Sequence, residues 1–339
     1  MANQEIFIKK YYLSDFFDLT VKMLPHIWKN ALLILSLVFI PLSFFFWFCL
    51  KQAFSVLPSV INMAAQNPDL SAVLENMSRF YGYIGLLVLI TGVASLFAKG
   101  VISLNTFKAA FGQPAPLSSL TGAVFKKKLL KLILLSLLIT MIYVGIIITA
   151  ILVTVLGSLL FSALMQNVIL AVLLAIGFYL GLFTVIIWLS VKFSFALEAI
   201  ILDDCPVFTS ISTSFKLVQK NWWRVFGITL LINLIISFMI SIIIAPVSMF
   251  IMLPEYFELI KTMLNNGNNE LPGRMLEFYT KYIPVLGISF ALQSIITYML
   301  FPVFKALFYI DLKVRHNQLD PPPPPVNKTL PPSSSAVSL

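Results

Sequence analysis

Six continuous apolar runs order the chain, near Ala31–Leu50, Gly82–Leu104, Leu132–Leu156, Val168–Val191, Val225–Leu253 and Ile283–Ile310. Each reaches the roughly 20 residues that an α-helix needs to cross a bilayer. None alternates with a period of two, and a helix satisfies its own backbone groups in lipid, so helices are favoured over a β-barrel. The pattern predicts an all-α, polytopic membrane protein with six transmembrane helices.

The segments between the runs carry a helical period of their own. Ahead of the fifth run, Phe208, Ile211, Phe215, Val218 and Trp222 fall on one face, and Ser210, Thr213, Lys216, Gln219 and Lys220 on the other. Ahead of the first run Phe17, Val21, Leu24 and Trp28 repeat that spacing, and ahead of the third Leu117, Leu120 and Val124 precede Lys126, Lys127 and Lys128. Pro114 and Pro206 open the second and third of these segments. Near the end of each even-numbered run a lysine is followed six residues later by a polar residue, Lys99 by Asn105, Lys192 by Glu198 and Lys305 by Asp311, and since positions six apart point about 120° from each other any pairs are expected to cross between hairpins. Three helical hairpins, each preceded by a cytoplasmic amphipathic helix, are the simplest description, with chance likeness between apolar segments as its competitor.

Composition agrees with a membrane as solvent: 59% of the residues are hydrophobic and only 11% charged, too little polar surface for a water-soluble fold. The basic residues orient it. With the N-terminus inside, one side collects Lys9, Lys10, Lys22, Lys29, Lys108, Lys126, Lys127, Lys128, Lys131, Lys216, Lys220, Arg224, Lys313, Arg315 and Lys328. The other receives Lys51, Arg79, Lys261, Arg274 and Lys281, so both termini are expected in the cytoplasm. The net charge of +9 then describes an inner face that attracts anionic phospholipid of the cytoplasmic leaflet, and no nucleic acid is expected as partner. The first run is full length without a small-residue cleavage site, so it serves as its own insertion signal. Cys49 and Cys205 fall on opposite sides and are not expected to pair. The chain divides into an interfacial segment (1–29), a six-helix membrane domain (30–315) and a Pro- and Ser-rich tail (316–339), the last expected to be disordered.

Ionisable groups inside a span are costly, which singles out Lys99, Lys192 and Lys305. Each stem bending toward the headgroups is the plain expectation. The sharper one is a polar ring of Lys99, Lys192 and Lys305 with Asn105, Glu198 and Asp311 around the inner mouth of the bundle. Lys126, Lys127, Lys128, Lys220, Trp222, Trp223 and Arg224 are candidate headgroup contacts. Pro41, Pro246 and Pro302 are expected to kink their spans, and Asn233 and Gln293 to hydrogen-bond between helices. The outer segments 51–81 and 254–282, with a helix starting near Asn67-Pro68-Asp69, are read as a cap over the bundle or a surface for a partner.

No constellation for catalysis emerges. His26 and His316 are the only histidines and neither has a second metal ligand nearby in sequence; there is no phosphate-binding loop and no nucleophile elbow. Asp203-Asp204 is read as favouring the positive end of the following helix rather than a metal. Glu255, Glu258, Glu270 and Glu277 are read as a solvated face. The chain is expected to be no enzyme and to carry no cofactor and no metal.

Lys220-Asn221-Trp222-Trp223-Arg224-Val225-Phe226-Gly227, following Glu198 and Ser214, resembles the central motif of the glycerophosphodiester phosphodiesterase membrane-domain family. The ending Leu307-Phe308-Tyr309-Ile310-Asp311-Leu312-Lys313-Val314-Arg315 is similar to that family's closing signature, from which it departs at Ile310 and Lys313. The plan of the chain also resembles the related YciC-like inner-membrane proteins of bacteria. The resemblance covers roughly residues 10–316 and implies a bacterial inner-membrane module without catalytic residues, because activity in that family resides in a separate soluble barrel. Two functions are carried forward: a non-enzymatic module that organises or senses lipid or scaffolds an envelope-related partner, and a transporter of a small or lipid-like solute.

Overall fold

The computed structural model describes residues 13–65, 70–164, 168–266 and 271–316. The first residues of the interfacial segment, the tail beyond 316 and the Asn67-Pro68-Asp69 helix start lie outside the described residues. The described chain is α-helical: α1 (Leu13–Ala65), α2 (Leu70–Ala110), α3 (Leu117–Ala123), a π-helical turn (Val124–Lys128), α4 (Leu129–Leu164), α5 (Val168–Lys192), α6 (Ala196–Asp203), α7 (Val207–Gln219), α8 (Trp222–Asn266) and α9 (Leu271–Arg315). Six segments are long and apolar enough to cross a membrane: Asp18–Val56, Ser71–Ala110, Leu117–Gly157, Val172–Asp203, Trp222–Lys261 and Glu277–Arg315. The chain is therefore a multi-pass membrane protein.

The core is built by α1, α2 and α9. In the first two spans 28% of the most apolar window is buried within the protein, and in the fourth 0%, so α5 presents its side chains to lipid. A run of ring contacts joins α1 to α9 along most of their length. Phe16 meets Phe308 edge-on at 4.9 Å, Phe39 stacks on Tyr298 at 4.9 Å, Phe46 on Phe290 at 4.7 Å and Phe54 on Tyr279 at 6.1 Å. Such pairs contribute about 0.5–1.5 kcal/mol each beyond the area they bury. Gly287 lets the two backbones approach, since a Cβ there would stand 3.2 Å from the Ser43 carbonyl oxygen.

Several expectations are corrected. The first amphipathic lead is no separate helix: α1 runs 53 residues without a break, about 80 Å at 1.5 Å per residue. Its inward face is Phe16, Leu19, Met23 and Ile27, while Val21 and Trp28 are exposed. In α7, Phe208 is 77% exposed, whereas Ser210 and Ser214 are buried with Leu217 and Val218. The reason is the solvent: in lipid an apolar face gains little by turning inward, and small or hydroxyl-bearing residues take the helix contacts instead. Pro116 rather than Pro114 caps the second lead, in an extended conformation like that of Pro206.

The outer segments are helical through their described residues. α1 and α2, like α8 and α9, extend through most of them, and Lys281 bonds Glu255 at 2.6 Å across the α8–α9 pair. Glu255 pairs with α9 while remaining partly exposed, Glu258 and Glu277 are exposed, and Glu270 lies outside the described residues. Pro41, Pro246 and Pro302 sit within helices that continue through them. Asn233 is exposed and donates to the Thr229 carbonyl of its own turn, and Gln293 is exposed, so neither joins two helices. Cys49 and Cys205 are free thiols.

Candidate functional site

The fourth span breaks without proline or glycine. α5 ends at Lys192, Phe193–Phe195 form a turn, and α6 resumes at Ala196. Ser194 N–H bonds the Val191 carbonyl at 3.2 Å and Ala196 N–H the Phe193 carbonyl at 3.1 Å. The Phe195 N–H and the Lys192 carbonyl are thereby left without helical partners. Ser214 of α7 supplies both: its hydroxyl donates to the Lys192 oxygen at 2.6 Å and accepts from Phe195 N–H at 3.1 Å. Irregular backbone within a span is tolerated where protein re-satisfies it in this way.

Charged groups gather beside the break. Glu198 stands in the first turn of α6, 4% exposed, with Lys305 of α9, 5% exposed, and Lys99 of α2 within electrostatic reach of it. The Lys305 ammonium donates to the Ser194 carbonyl at 3.4 Å and lies 4.7 Å from the Phe195 ring centroid. Lys99 is half-buried over Tyr298. One Glu198 oxygen and the Asn105 amide nitrogen are buried without hydrogen-bond partners.

The expected six-residue ring therefore divides. Lys99 and Lys305 lie within electrostatic reach of Glu198, without an ion pair closing between them, and Asn105 is buried with its amide nitrogen unpartnered. Lys192 turns away, its ammonium between the rings of Trp188 and Phe215. Asp311, fully buried, is shared by Arg224 at 3.3 Å and Arg315 at 2.9 Å. Lys192 and Lys305 are buried within the protein, their ammoniums against aromatic faces.

Asp203 and Asp204 do not serve the α7 N-terminus, whose cap is Pro206. Asp203 accepts from Tyr309 at 2.6 Å and Lys313 at 2.7 Å, tying α6 to α9. Asp204 adopts the left-handed conformation (φ 55°) at the end of α6 and pairs with Lys131 at 2.9 Å. That hydrogen-bonded ammonium holds the Asp204 carboxyl below the usual aspartate range, while burial pushes the neighbouring Cys205 thiol up. Lys128 donates to the Ile201 carbonyl, and Lys131 to that of Asp204, so both lysines satisfy the open end of α6. Of the lysine triplet, Lys126 and Lys127 alone remain exposed, presented by the π-helical turn.

The other candidate headgroup residues line a groove of about 910 Å³. One wall is α5, with Phe183, Thr184, Ile187 and Trp188; the other is the elbow where α7 gives way to α8, with Lys220, Trp222, Trp223, Arg224 and Phe226. The elbow forms because the Asn221 N–H bonds the Val218 carbonyl at 2.9 Å, ending α7, while the Asn221 carbonyl accepts from Val225 at 2.9 Å and opens α8. Trp222 stacks on Phe226 at 5.3 Å, which sets its indole against the groove.

The family described as Domain of unknown function (DUF7847) matches residues 119–312, more than half of the chain. The chain belongs to that family. The DUF7847 region contains the broken fourth span, the Ser214 bridge, Glu198, Lys305, Asp311 and the groove; Lys99 and the whole of α1 precede it. No curated protein and no solved structure matches the chain. Among the described residues no group of three His, Cys, Asp or Glu side chains is placed to hold a metal ion.

Phe183 and Trp188 join the candidate site in the structure although their sequence context gave them no role. Ser214 and Glu198 were marked together by the motif resemblance, as Tyr309 and Arg315 were by the closing signature.

Proposed function

We propose that this DUF7847 protein is a non-enzymatic membrane module that organises or senses anionic phospholipid at the inner leaflet of a bacterial inner membrane, or seats an envelope-related partner there. The carrying observation is the collar at one end of the bundle. Lys126, Lys127, Lys216 and Lys220 are exposed there together with Phe125, Phe208 and Trp223. Aromatic side chains settle at the headgroup level and each nearby lysine adds about 1 kcal/mol of attraction to an anionic surface. In this reading the chain is three hairpins led by interfacial segments, and both termini are cytoplasmic. The motif likeness to membrane domains that accompany glycerophosphodiester phosphodiesterases supports the same assignment, since those domains are non-catalytic.

The test is reconstitution in nanodiscs of mixed phosphatidylglycerol and phosphatidylethanolamine. The lipid shell should be enriched in phosphatidylglycerol, less so at high salt and less so in Lys126→Gln/Lys127→Gln. A shell with bulk composition would overturn the proposal. The competing reading, a transporter, draws on the broken span and the buried Lys99, Glu198 and Lys305. Solute flux in proteoliposomes that disappears in Glu198→Gln would establish it instead.

A further inference from the structure

We infer that the groove between α5 and the α7–α8 elbow is a discrete site for one anionic glycerophospholipid drawn from the bilayer, an assignment that rests on the lipid-organising reading above. The groove has two chemistries in the order a lipid requires. Along α5 its wall is Phe183 and Ile187, on a span with no fully buried residue in its apolar window, so an acyl chain enters sideways from the bilayer. At the elbow the wall becomes cationic, with Lys220 and Arg224 lining it.

The elbow also aims donors at this end. α8 begins at Trp222, so its first-turn N–H groups lack helical acceptors and its dipole is positive where Trp222, Trp223 and Arg224 line the groove. Phosphate oxygens bind readily at such a helix start. Asp311 holds the Arg224 guanidinium from behind at 3.3 Å, so the cation is in position before a ligand arrives.

The sign of the headgroup follows from what lines the site. No carboxylate is among the lining residues, so a zwitterionic headgroup would set its ammonium beside Lys220 and Arg224 with nothing to receive it. A net negative headgroup meets no such opposition. The volume falls within the range of about 300–1,000 Å³ typical of small-molecule sites, so the groove holds one headgroup and the upper part of its chains rather than a lipid cluster.

Native mass spectrometry of the full chain, released from nanodiscs of phosphatidylglycerol and phosphatidylethanolamine, tests this directly. The expected result is one retained phosphatidylglycerol per protein. Lys220→Gln should reduce its preference over phosphatidylethanolamine about fivefold. Thr184→Trp, at an exposed position on α5, should fill the apolar half and remove the adduct while leaving shell enrichment unchanged. Lys126→Gln/Lys127→Gln should do the reverse. Retention of the adduct in Thr184→Trp, equal retention of phosphatidylethanolamine in the wild type, or an adduct consisting of detergent or inorganic phosphate would overturn the site. Absence of shell enrichment around the wild type, with its adduct intact, would instead count against the broader function.

Discussion

Ser214→Ala isolates what holds the interrupted span together. The hydroxyl is fully buried and serves two backbone groups, donating at 2.6 Å and accepting at 3.1 Å. Neither group has a fallback: the Ala196 N–H that would close an unbroken helix on Lys192 is taken by Phe193, and the Val191 carbonyl that would receive Phe195 N–H is taken by Ser194. Leaving a buried donor and a buried acceptor unmade costs about 1–3 kcal/mol each. Hydrogen bonds measured within membranes average about 0.6 kcal/mol, because the membrane-embedded unfolded state also finds partners. The expected loss therefore lies between about 1 and 5 kcal/mol, and about 3 kcal/mol is a fair centre. Ser210→Ala is the matched control, since Ser210 is equally buried but bonds only the Val207 carbonyl of its own helix. Unfolding in mixed micelles by sodium dodecyl sulfate, followed by circular dichroism, should show Ser214→Ala shifted well below both wild type and Ser210→Ala. Equal midpoints for the two alanine variants would refute the bridge.

Three further outcomes are expected from the same unfolding assay. Glu198→Gln removes the carboxylate whose field reaches the buried Lys305 ammonium and should destabilise, with part of the loss recovered in Glu198→Gln/Lys305→Met; simple additivity would refute the coupling. Lys128→Gln should destabilise by removing the cap on the Ile201 carbonyl, whereas Lys127→Gln should leave the midpoint unchanged, and identical behaviour would contradict the cap. Asp204 has a depressed carboxyl pKa, so its link to Lys131 contributes fully above the unfolded-state value near 4 and is lost as pH falls through the lower folded-state value. Asp204→Asn should therefore flatten the acid limb of the stability profile, and an unchanged limb would assign the acid sensitivity elsewhere.

The candidate site was only partly legible beforehand. Lys99, Lys192, Glu198, Lys305 and Asp311 stood out because a charge within an apolar run is conspicuous whatever its partner. Which of them approach one another was not legible, because that depends on how the helices pack: Lys305 lies within electrostatic reach of Glu198, and Asp311 pairs with Arg224 of α8 and with Arg315 one turn along α9. The break in the fourth span left no local mark either. Lys192-Phe193-Ser194-Phe195 contains no proline or glycine, and the turn is sustained by a hydroxyl from α7.

By itself the sequence determined six spans, their approximate places and the basic character of one end. Length and hydropathy are judged against lipid segment by segment, so no partner is needed to read them. Tertiary structure decided which face of each helix turns inward, where the fourth span breaks, and that Lys220 and Arg224 share a groove with Trp188. In a bilayer both faces of a helix already lie in apolar surroundings, so burial gives no local signal, and only the neighbouring helix settles where a side chain goes.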